Sequence, residues 1–164
     1  MKKSLVVLAV LALAFLFTQN VFAQSQGVTL TVNSIALLSV PAGPIALTIT
    51  TGTPGVDALT PVTAASTYSW THNYAGGRKI SAVLTTALPA GYDLALTTSP
   101  AATKGTGVTA QTIADGVAHD VVTALPKGFD LSAGLSYTFS ANASAVALSG
   151  AQSANTVTYT IVAP

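Results

Sequence analysis

The chain has 164 residues, half of them hydrophobic and 7% charged, with 13 Gly, 8 Pro, no Cys and a formal net charge of +1. These figures exclude a disulfide scaffold, a cysteine nucleophile, a zinc ribbon and a strongly basic nucleic-acid binder. They leave room for one small domain.

Lys2 and Lys3 precede an apolar run from Leu5 to Phe17, which is followed by Val21-Phe22-Ala23 and then Gln24. A basic start, a short apolar centre and small or apolar residues before a cut after Ala23 predict a secretory signal peptide over residues 1–23. As a helix, the 13 residues of the run rise only about 20 Å, against about 30 Å of hydrocarbon, so no membrane span is expected after cleavage. Export leads to the periplasm, the cell surface or the medium.

Residues 24–164 are expected to form a single β-domain. They carry four basic residues (Arg78, Lys79, Lys104, Lys127) against five Asp and no Glu, a net charge of −1. Polarity must therefore come from Thr and Ser. Branched Thr suits strands, whereas Glu, Lys and Arg, which a surface helix favours, are scarce. A nearly neutral, hydroxyl-rich surface also offers little repulsion between copies.

Short runs of period-two alternation separated by Gly, Pro, Asn or Asp predict a sandwich or barrel of eight or nine strands and no helix. Val28, Leu30 and Val32 alternate with Thr29, Thr31 and Asn33, and Ile45, Leu47 and Ile49 alternate with Ala46, Thr48 and Thr50. Both read as half-buried strands, and 52–61 reads as a loop. Tyr68, Trp70 and His72 share one strand face, and Ile80, Ala82 and Leu84 share the next. Asn73-Tyr74-Ala75-Gly76-Gly77 between them predicts a hairpin. Further strands follow at Tyr92–Leu96, around Val108–Ile113 and Ala118–Thr123, at Leu135–Ala141 and at Val157–Ile161.

Thr86-Ala87-Leu88-Pro89-Ala90-Gly91-Tyr92-Asp93-Leu94 recurs as Thr123-Ala124-Leu125-Pro126-Lys127-Gly128-Phe129-Asp130-Leu131. The repetition predicts one corner built twice. In each copy Pro ends a strand, Gly takes an unusual backbone angle and the aromatic ring anchors the next strand.

No catalytic residue, metal site or cofactor is predicted. His119 and Asp120 are strand neighbours on opposite faces, although Asp115 lies close in sequence. There is no Gly-x-Ser-x-Gly elbow, and the scattered Asp and His lack metal-ligand spacing. Gly105-Thr106-Gly107 precedes no helix, so no phosphate loop is expected. The aromatic row Tyr68, Trp70, His72, with Tyr74 at the turn, allows two readings. Facing solvent it is a carbohydrate-binding strip, with Arg78 or Asp93 adding polar contacts; facing inward it is core, the favoured reading.

The leader, the Thr/Ala/Val-rich body, the Leu-Pro-x-Gly corner Leu88–Gly91 and the closing run Asn155–Ile161 together resemble small secreted bacterial proteins of the spore-coat-U-like and fimbrial-subunit type. The resemblance implies an immunoglobulin-like antiparallel β-sandwich, exported and assembled with copies of itself or with other surface subunits, one subunit lending a strand to the next. Val28, Leu30 and Val32 are then the candidate donor strand. Fimbrial subunits carry a Cys pair that is absent here, and the last strand reads as complete, which leaves open a domain that closes on itself. The expected function is a non-catalytic structural or surface subunit. An adhesive module binding glycan through the aromatic row is the alternative.

Overall fold

The computed structural model describes residues 26–145, 148 and 155–164. The expected signal peptide lies outside them. The chain divides into two units, 1–32 and 33–164. In the first, residues 26–32 form no regular structure, and Val28, Leu30 and Val32 are 74, 87 and 86% exposed. The strand expected there does not form within the chain.

The second unit is all-β. Its strands are β1 (Ala36–Ser39), β2 (Val62–His72), β3 (Arg78–Leu84), β4 (Tyr92–Ser99), β5 (Thr106–Gly107), β6 (Gln111–Thr112), β7 (His119–Leu125), β8 (Gly128–Ala141) and β9 (Val157–Val162). They make two antiparallel sheets, ordered β1-β2-β8-β4-β6 and β5-β7-β3-β9. The described residues include no helix.

Alternation on the long strands directs one face of each sheet inward. Tyr68 and Trp70 of β2, Ile80, Ala82 and Leu84 of β3, Leu94 and Leu96 of β4, and Leu135 and Tyr137 of β8 join one core with Val121, Val122 and Leu125 of β7. Covering each apolar face with the other sheet removes both from water at once. That explains why β2 and β3 lie in different sheets and the predicted hairpin at Asn73–Gly77 is instead a crossing between sheets. The Asn73 side chain accepts from Ile35 N–H at 2.7 Å and donates to Asn33 C=O at 2.8 Å, tying the crossing to the approach into β1.

Bulges reset which residues face inward on the long strands, and on β8 the inward series passes from Leu135 and Ala133 to Asp130, leaving Phe129 and Leu131 exposed. On β8 the register slips between Tyr68↔Ala133 and Trp70↔Asp130, Ser132 has φ +57°, and its N–H bonds Ser69 Oγ at 3.0 Å. On β7 the slip from Ser81↔Asp120 to Ile80↔Val122 turns both Val121 and Val122 into the core.

Consecutive strands from β2 to β9 alternate between sheets, and the order has an internal two-fold pattern. Exchanging β2 with β6, β3 with β7, β4 with β8 and β5 with β9 reverses each run and leaves it unchanged. The repeated nonapeptide marks the two equivalent crossings, β3 to β4 and β7 to β8. Gly91 and Gly128 both have positive φ, +90° and +140°, as the repetition predicts. The aromatic anchors differ. Tyr92 stacks on Phe139 at 5.9 Å, but Phe129 is 53% exposed, with Lys104 Nζ 5.0 Å from its ring centre.

Residues 45–50, expected as a strand, have no ladder partner. Pro41, Gly43 (φ +125°) and Pro44 turn the chain away from the β1–β2 ladder just before them. Conversely, β1 is a strand that the sequence did not announce, because Ala36-Leu37-Leu38-Ser39 has no alternation.

Candidate functional site

The aromatic row faces inward. Tyr68, Trp70 and His72 are 3, 2 and 1% exposed, and the Trp70 and His72 rings stack at 5.3 Å. Tyr74 is half-buried beneath the Arg78 guanidinium, 3.7 Å from its ring centre. A sugar ring has no face to lie on here, because these strand rings pack against β3 and β7 across the interior. The Tyr68 hydroxyl, Trp70 Nε1 and both His72 nitrogens are buried without a hydrogen-bond partner.

His119 and Asp120 diverge, as their strand positions require. His119 Nε2 lies 2.9 Å from both Asp115 carboxylate oxygens, and Gln111 Nε2 is 3.3 Å from His119 Nδ1. Asp120 accepts from Lys79 Nζ at 2.8 Å and Ser81 Oγ at 2.9 Å. The Val117 N–H, and then His119, hold the Asp115 carboxyl below the usual carboxylate range. Both imidazole nitrogens therefore have a side-chain partner. Among the described residues no three His, Asp or Glu side chains gather at a point.

The two repeated Asp residues play different local parts. Asp130 is buried and accepts from Ala101 N–H at 2.9 Å, which fixes the loop after β4. Asp93 accepts from Thr112 Oγ1 of β6 at 3.3 Å.

The feature left without a structural role is the open side of the sandwich. β1 covers β2 only over Ser69–His72, so the outer edge of β2 from Val62 to Tyr68 has no ladder partner among the described residues. Among the described residues β9 ends its sheet and pairs only with β3. Among the described residues, then, two sheet edges are bare on the side where β1 approaches β9. Between them lies a cleft of about 1020 Å³, floored by Leu84, Leu94, Phe139, Val157 and Tyr159 and rimmed by Ile45, Leu47 and Ile49.

At its floor the Tyr137 and Tyr159 hydroxyls meet at 2.6 Å, joining β8 to β9 across the two sheets. Burial raises both phenols above their ordinary range, so they stay neutral donors. The cleft lies beside backbone that is unpaired among the described residues.

The cleft has no signature in the sequence, because no local pattern reports which strand edge goes uncovered. In comparisons with known proteins, no family model, curated protein or solved structure matches the chain.

Proposed function

We propose that this protein is an exported, non-catalytic structural subunit of the cell surface that polymerises by strand donation. Residues 28–32 of one copy add beside β9 of the next, and Val28, Leu30 and Val32 enter its cleft. The observation that carries this reading is the pairing of a bare, uncharged β9 edge over an apolar cleft with an exposed, uncharged, alternating segment in the same chain. The six residues of β9 extend about 20 Å, and a five-residue donor extends about 17 Å, so the lengths agree.

The topology supports the same reading when taken as immunoglobulin-like. β1-β2-β8-β4 occupy the places of strands A-B-E-D, and β3 and β9 those of C and F. The seventh strand of that fold, G, belongs beside F. Here that is the bare edge of β9, the place a donated strand completes.

The test is Leu30→Asp in the chain from residue 24, with mass followed by light-scattering chromatography over a range of concentrations. A buried carboxylate in the cleft carries a large desolvation cost. The unaltered chain is expected to form polymers and Leu30→Asp to remain monomeric with unchanged thermal stability. Polymers of equal length from both would overturn strand donation.

A further inference from the structure

The cleft already has a loose occupant. Residues 45–50 repeat the donor's pattern, with Ile45, Leu47 and Ile49 alternating against Ala46, Thr48 and Thr50. Their apolar side chains rim the same cleft as Val157 and Tyr159. Leu47 packs against the core cluster, and Leu47 and Ile49 are half-buried while Ile45 (40%), Ala46, Thr48 and Thr50 are exposed. The segment thus presents an inward face to an open sheet edge, as an edge strand does, yet forms no ladder with β9 or β2.

Among the described residues no backbone hydrogen bond ties it to β2 or β9, and both ends are built to bend. Gly43 (φ +125°) lies between Pro41 and Pro44 on one side, and Gly55 (φ +80°) follows Pro54 on the other. A segment without backbone hydrogen bonds to its neighbours opens at low free-energy cost.

The geometry points to residues 45–50 as a displaceable strap, a second segment of this chain that competes with the donor for one cleft. In the free subunit the strap shields the apolar floor beside β9. When the donor of another copy pairs with β9, its three apolar side chains take the places of Ile45, Leu47 and Ile49, and the strap swings out on its Pro/Gly ends. This inference rests on the strand-donation reading and adds a gate to it. The donor gains ladder hydrogen bonds that the strap lacks, which gives exchange its direction.

The chain contains no Cys, so a single introduced thiol reports the strap alone. The experiment takes the chain from residue 24 carrying Leu47→Cys and Leu30→Asp, the second change preventing self-assembly. A synthetic peptide of residues 26–33 is added, its binding is measured by fluorescence anisotropy, and thiol labelling is timed at increasing peptide concentration. The expected result is saturable peptide binding with a parallel rise in labelling rate of about tenfold, as a mostly closed strap becomes mostly open. A companion variant, Leu47→Ser with Ile49→Ser, is expected to bind the peptide about tenfold faster because its closed state is weakened.

Saturable binding with unchanged labelling, and equal association rates for both variants, would overturn the strap and leave strand donation standing. Absence of peptide binding to every variant, including the one with the weakened strap, would overturn both. A scrambled peptide that opens the strap equally would overturn the claim that the donor's alternation is what displaces it.

Discussion

At the residue scale, Thr98 shows how a protein with few charges uses hydroxyls inside. Buried at the end of β4, its Oγ1 donates to Val121 C=O on the opposite sheet and accepts from Val108 N–H at 3.0 Å. The bulge at Val121 is what frees that carbonyl from the β3 ladder. Thr98→Val keeps the shape but strands one buried donor and one buried acceptor, so a loss of about 1–3 kcal/mol is expected. Urea unfolding with an unchanged denaturant slope would measure it; an unchanged midpoint would contradict this role. The tyrosines set the alkaline limit. Burial first, and the neighbouring Asp130 second, push the Tyr68 phenol from 10.0 up to about 12, and burial raises Tyr137 and Tyr159 as well. The folded state therefore keeps phenolic protons that the unfolded chain releases near pH 10. Stability is full below pH 10 and falls as pH rises from 10 toward about 12. Denaturation midpoints across that window check the sign, and a flat profile would contradict it.

At the scale of elements, the repeated nonapeptide proves to be a device for changing sheets. Gly91 and Gly128 carry the same backbone task in different surroundings. A Cβ at Gly91 would lie 2.6 Å from Asn142 Oδ1, whereas one at Gly128 would meet nothing within 4 Å. Both Gly→Ala changes incur about 1 kcal/mol for positive φ. Gly91→Ala is expected to cost more through the added clash, and thermal unfolding of the two variants compares them directly. Equal losses would show that the backbone angle alone matters. These elements also show what a sequence can and cannot disclose. Inward faces at Tyr68–His72, Ile80–Leu84 and Leu94–Leu96 were legible because alternation is a local property of one strand. Pairing is not local, so Asn73–Gly77 read as a hairpin when it bridges two sheets. Residues 28–32 and 45–50 show the same limit from the other side. They alternate like strands but lack a partner in the chain, and alternation without a ladder does not make a strand. β1 was illegible because it is short, exposed and held mainly by the edge of β2.

At the scale of the whole molecule, the charge count and the bare edges bear on one property. Soluble β-proteins protect exposed edges with charged side chains, bulges or covering loops. Here β9, Val-Thr-Tyr-Thr-Ile-Val, has no charge, and 45–50 covers the nearby cleft without pairing. Such an edge is a liability for a monomer and a working surface for a subunit. The cleft was invisible in the sequence because it arises from which strands end early: β1 after four residues and the second sheet at β9. The alternation of residues 28–32 was visible because a period-two pattern is local and survives without a fold around it. The most direct measurement of strand donation compares the chain from residue 24 with one beginning at residue 34, by light-scattering mass and negative-stain imaging of the same fractions. Ordered polymers are expected from the first and a folded monomer from the second. Polymers that persist without residues 24–33, or a stable monomer in both, would contradict it.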